Sequence, residues 1–101
     1  MQRTEYTQLL TDKDKLRIEF TQYHGTILKF VVQYYSLIGS RWRTIMRIDN
    51  CHGFPHKHAY YLHRKEFTVV LSSETNIAFT ESKEYIMQNL QKIKQNFLFA
   101  K

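Results

Sequence analysis

Residues 47 to 58 read RIDNCHGFPHKH, which gathers Arg47, Asp49, His52, His56 and His58 around the chain's only proline and only cysteine. Histidine is the side chain whose ordinary pKa lies near neutrality, so two histidines at an anionic site can remove and return a proton at working pH. Metal-free RNA cleavage needs that chemistry. One group takes the 2′-OH proton, a second protonates the leaving 5′-oxygen, and an arginine balances the charge on the phosphorane. His56 and His58 are two residues apart, so in an extended segment both belong to one face, where Arg47 of a preceding strand can join them. Asp49 is placed to orient a histidine or the loop. Pro55, with no N–H to offer a sheet ladder, fixes the approach.

Two other readings of the same residues stand beside this one. Three imidazoles and the Asp49 carboxylate within ten residues could ligate zinc or another divalent ion, although the spacing differs from the common zinc signatures and Cys51 has no second thiol near it. The histidines could also be structural, hydrogen-bonded within a loop. Acid–base catalysis calls for no cofactor, and a metal belongs only to the alternative.

The elements that must position these groups are mostly strands. Three glycines, Gly25, Gly39 and Gly53, fall where strands should turn. Leu16, Ile18 and Phe20 alternate with Arg17 and Glu19, and TILKFVVQYYSLI runs from Thr26 to Ile38. In RWRTIMRID the alternation predicts Trp42, Thr44, Met46 and Ile48 on one face and Arg41, Arg43, Ile45, Arg47 and Asp49 on the other. The Trp42 face should meet the helix. Three guanidinium groups would then lie about 6.5 to 13 Å apart by strand rise along the arginine face, with Lys29, Gln33 and Tyr35 extending it on the neighbouring strand. Arg41, Arg43, Lys29 and Tyr35 are the residues expected to contact RNA. Tyr34–Tyr35 and Tyr60–Tyr61 each send one ring to each face, so one ring of a pair could stack on a base. Further short strands are expected at His58 to His63 and Phe67 to Ser72.

Beyond Thr80, a reasonable N-cap followed by Glu81 and Glu84, Ile86, Leu90, Ile93 and Phe97 recur at helical spacing. The expected architecture is a single α+β domain over residues 1–101: an antiparallel meander of four to five strands with a C-terminal helix on one face. The first dozen residues are expected to form a short helix around Glu5 to Leu10 or to stay loose.

Fifteen Lys and Arg against nine Asp and Glu give a formal charge of +6, which favours a polyanion or an acidic protein as partner. No apolar run approaches the roughly 18 residues of a membrane helix, and the first residues lack the apolar core of a signal peptide. The expected compartment is the cytoplasm. Cys51 has no partner cysteine, so an intrachain disulfide is excluded.

The block YYSLIGSRWRTIMRIDNCHGFPHKHAYY, Tyr34 to Tyr61, resembles the central part of the TumE-type toxins of prokaryotic toxin–antitoxin pairs. There a strand ending in Arg-x-Asp-Asn precedes a His-rich Pro-His-x-His segment. The pattern falls on Arg47, Asp49, Asn50, His52, Pro55, His56 and His58. The match spans about a quarter of the chain; the histidine segment is short, and the turn between Tyr35 and Arg41 lacks acidic residues. The resemblance implies a toxin whose activity an antitoxin protein blocks. The reading that follows is an RNA endonuclease using His56, His58, Arg47, Asp49 and His52, without metal and with a homodimer open. Its rivals are a non-catalytic basic module that binds RNA or protein, and a His-ligated metal enzyme.

Overall fold

The computed structural model describes residues 1–50 and 74–99 throughout, and 56–59 and 67–68 as strand backbone. Among the described residues, six strands lie in chain order in one antiparallel sheet: β1 (Gln2–Thr11), β2 (Asp14–Tyr23), β3 (Thr26–Ile38), β4 (Arg41–Asp49), β5 (His56–Ala59) and β6 (Phe67–Thr68). Two helices follow, α1 (Thr75–Gln88) and α2 (Leu90–Phe99), giving an α+β meander with both helices on one face.

The turns are set by residues that tolerate a left-handed backbone. His24 and Gly25 take φ of 50° and 80°, the two-residue pattern that matches the right-handed twist of a hairpin. Gly39 alone is positive in the β3–β4 turn, at 64°. The N-terminal segment is neither helical nor loose: Gln2 to Thr11 pairs with β2 along its length. Its apolar groups are too sparse for a helix stripe, whereas a strand gains a full ladder of backbone hydrogen bonds.

β4 contains an irregularity that reverses the expected phase of its first half. Met46 pairs with Tyr34 but Thr44 pairs with Tyr35, so Ile45 is an extra residue, a β-bulge. On the Asp49 side of the bulge, Met46 and Ile48 face the helices while Arg47 and Asp49 take the outer face, as the alternation predicts. On the other side the order flips. Arg41 and Arg43 lie opposite Ile38 and Ser36 on the helix side, and Trp42 and Thr44 lie opposite Leu37 and Tyr35 on the outer face. Cross-sheet contacts agree, since the Arg43 guanidinium lies 5.7 Å from the Phe97 ring centroid on α2 and Lys15 Nζ lies 4.1 Å from that of Trp42.

The core joins Leu16, Ile18, Phe30, Val32, Tyr34, Met46 and Ile48 to Ala78, Phe79, Ile86 and Ile93 of the helices. Phe79 sits against Phe20 and Phe30 with ring centroids 5.2 and 5.6 Å away, tilted contacts that add about 0.5–1.5 kcal/mol each beyond area burial. The stripe Ile86, Leu90, Ile93 and Phe97 packs on the sheet as its spacing predicts. The helix starts earlier than Thr80, however: Glu74 is the N-cap, and Thr80 sits inside α1 with its hydroxyl on the Asn76 carbonyl at 3.2 Å.

β3 continues past the end of β4, and two asparagine amides complete its backbone bonding there. Asn50 accepts from the Phe30 N–H at 2.8 Å and donates to the Leu28 carbonyl at 3.1 Å. Asn76, from α1, accepts from the Ile27 N–H at 2.8 Å and donates to the Gly25 carbonyl at 3.0 Å. Each side chain imitates a peptide group of a neighbouring strand.

Candidate acid–base site on the outer sheet face

β4 and β5 bring the two halves of RIDNCHGFPHKH into register. Arg47 pairs with His58 and Asp49 with His56, and directly opposed residues of an antiparallel pair share a face. Gln33 of β3 pairs with Arg47 on the other side, and Arg17 with Gln33, so one row across the sheet reads Arg17, Gln33, Arg47, His58. The adjacent row reads Glu5, Glu19, Val31, Asp49, His56. The β1 to β4 members of both rows lie on the face opposite the helices.

Arg47 Nε donates to Asp49 Oδ2 at 2.9 Å, an i to i+2 contact along the strand. The Arg47 side chain is 36% exposed while Asp49 is 2% exposed as a residue, so a buried carboxylate holds a half-exposed arginine. Toward the β1 edge the charges also pair: Arg3 with Glu5 at 3.0 Å and with Glu19, and Arg17 with Glu5. The hydrogen bond from Arg3, aided by the charges of Arg17 and Arg47, outweighs burial and holds the Glu19 carboxyl below its usual range. This part of the face is therefore a lattice of alternating sign.

The structure thus brings Arg47 and Asp49 together and aligns His56 and His58 with them by register. Lys29, Gln33 and Tyr35 lie on the same face. Arg41 and Arg43, expected to extend a guanidinium row from Arg47, do not, because the Ile45 bulge sends them to the helix side. His52, Cys51, Pro55, Tyr60 and Tyr61 lie outside the described residues. Among the described residues, no group of three or more His, Cys, Asp and Glu is disposed to hold a metal ion. The role of Asn50 within Arg-x-Asp-Asn is structural, through the β3 bonds given above.

Three groupings escaped the sequence reading. Glu19 and Arg17 join the Arg47 rows, which alternation in β2 already implied. Trp42, with Lys15 and Tyr35, sits at the other end of the outer face. On the helix side, Asp14, only 5% exposed, accepts from the Tyr34 phenol at 2.6 Å, the Ser36 hydroxyl at 2.9 Å and the Thr11 hydroxyl at 2.6 Å, with Lys94 Nζ at 3.5 Å. Asp14 is in phase with Leu16 and Ile18, and Tyr34 and Ser36 with Val32, so their inward direction was readable.

The whole chain, residues 1–101, matches the family described as Domain of unknown function (DUF7718), and it belongs to that family. No curated protein and no solved structure matches it. Among the described residues, no helix is long and apolar enough to cross a membrane.

Proposed function

We propose that the protein is an RNA endonuclease that works by histidine acid–base chemistry without a metal, and that it is the toxin of a toxin–antitoxin pair. The observation that carries the catalytic part is the β4–β5 register, which pairs Arg47 with His58 and Asp49 with His56. In the reaction, one of His56 and His58 takes the proton of the 2′-OH as that oxygen attacks phosphorus. The other gives a proton to the 5′-oxygen as the P–O5′ bond breaks, leaving a 2′,3′-cyclic phosphate and a 5′-hydroxyl. Arg47, held by Asp49, stabilises the charge on the phosphorane. His52 completes the histidine group, Lys29 and Tyr35 contact the RNA, and the net charge of +6 favours its approach. The resemblance of the central block to TumE-type toxins supplies the toxin assignment and the antitoxin partner.

The test is incubation of single-stranded RNA with the purified protein in EDTA. Cleavage to 2′,3′-cyclic phosphate ends is expected, with a loss of about 10²–10⁴-fold in His58→Ala. Intact RNA, or a folded His58→Ala protein that cleaves normally, would refute the reading.

The ion pairing of Arg3, Glu5, Arg17 and Glu19 favours a second reading, a non-catalytic module whose mixed-charge face docks a macromolecule. Binding without cleavage in the same assay selects it.

A further inference from the structure

Trp42, Lys15 and Tyr35 form a cluster of which the proposed function uses only Tyr35, as an RNA contact. The Ile45 bulge moves Trp42 out of the core phase and onto the outer face, where it stays 38% exposed. Lys15, opposite Tyr35 in the ladder, places its ammonium 4.1 Å from the indole centroid and 5.7 Å from the Tyr35 centroid. Two rings from adjacent strands therefore flank one cation on a surface of the sheet.

We infer that this cluster is a stacking subsite for an unpaired base of single-stranded RNA, adjoining the Arg47–His58 row. The inference rests on the RNA reading above and gives it a substrate class. Lys15 lies over both rings, so a base stacking on either takes the place of the ammonium, which turns to the phosphate beside that base. Tyr35 is one two-residue step, about 7 Å, from the Gln33–Arg47 pair, and Trp42 is two such steps away along the β3 ladder. A strand bound with one base on Tyr35 or Trp42 thus carries its next phosphate toward Arg47. A duplex keeps its bases stacked on one another and has none to give. A protein partner fits less well, because an apolar contact over these rings would strip water from the Lys15 ammonium without an acceptor for it.

Trp42 is the only tryptophan, so its emission reports this subsite alone. The probe is a single-stranded 2′-deoxy oligonucleotide, which lacks the attacking hydroxyl and is bound but not cut, with the duplex of the same sequence as control. Saturable quenching by the single strand and none by the duplex is expected, with Tyr35→Ala and Lys15→Ala each weakening binding about 5- to 100-fold. Binding with no change in Trp42 emission, or Tyr35→Ala binding as tightly as the unmodified protein, overturns the inference. So does a concentration-dependent dimer that shifts Trp42 emission to the blue without oligonucleotide, which makes a second copy the occupant. Quenching by the single strand in a protein that leaves RNA intact in EDTA supports the subsite and refutes the cleavage reading. Cleavage with unaltered Trp42 emission does the reverse.

Discussion

The Tyr34 phenol donates to the Asp14 carboxylate at 2.6 Å beneath the helices, and the same carboxylate receives Ser36, Thr11 and the Lys94 ammonium. Burial by itself pushes the Asp14 carboxyl up, but these donors outweigh it and hold the group below its ordinary value of 3.8. Burial, with the neighbouring Asp14 charge, pushes the Tyr34 phenol up, which keeps it a donor across the working pH range. A charged group inside the core is tolerated because its lone pairs are met.

Replacing Tyr34 by Phe keeps the ring and removes the donor. A loss of about 1.5–3 kcal/mol at neutral pH is expected by denaturant unfolding, because the bond is to a charged acceptor.

The pH dependence follows from the same group. With its folded pKa lowered, Asp14 contributes stability that is complete above 3.8 and lost as pH falls through the folded value. Asp14→Asn removes that dependence, so the variant loses less stability than the unmodified protein on acidification below 3.8. An NMR titration of the Asp14 carboxyl with a midpoint at or above 3.8 contradicts this account.

Asn50→Ala strips the peptide mimic from β3. The Phe30 N–H and Leu28 carbonyl lose their partner, for a cost of about 1–3 kcal/mol. Amide exchange at Phe30 should accelerate while that of Val32, which lies in the regular ladder, holds. Unaltered exchange at Phe30 would show that the amide contributes nothing there.

At Gly25, φ is 80° and an added Cβ would meet no atom within 4 Å. Gly25→Ala therefore tests backbone strain without steric clash, with an expected loss of about 1–2 kcal/mol. The melting temperature should fall accordingly, and His24→Asn, suited to the φ of 50°, should hold or raise it.

Much of the sheet was legible because period-two alternation is strong where one face is buried. Leu16, Ile18, Val32, Met46 and Ile48 all lie inward as their phase predicts. A strand with His56 and His58 in one phase beside an arginine of the preceding strand was expected from the same alternation, but the expected span, His58 to His63, began two residues later than β5, and the register itself was not readable. What escaped was non-periodic. A bulge leaves no composition signal, so Trp42 and Arg43 exchanged faces. The N-terminal strand is polar at most positions, and its place at the sheet edge asks little burial of it. The helix start at Thr75 was hidden because Asn76 and Ala78 are weak markers on their own, and Asn76 acts through a contact 51 residues away in the chain. Asp14 was overlooked for a different reason: a carboxylate in a core phase reads as a surface group unless its hydroxyl partners on β3 are considered with it.

The surplus residue in β4 has a consequence for how relatives of this chain can vary. Between Arg41 and Thr44 the identity of the outward side chains depends on strand length as well as on the residues themselves. Loss of one codon at Ile45 would restore simple pleating and leave the indole outward, whereas the present residues paired without the bulge would turn it inward and present two guanidinium groups in its place. Whether the strand absorbs its surplus residue as a bulge thus decides between an aromatic and a cationic surface with no change in the side chains themselves.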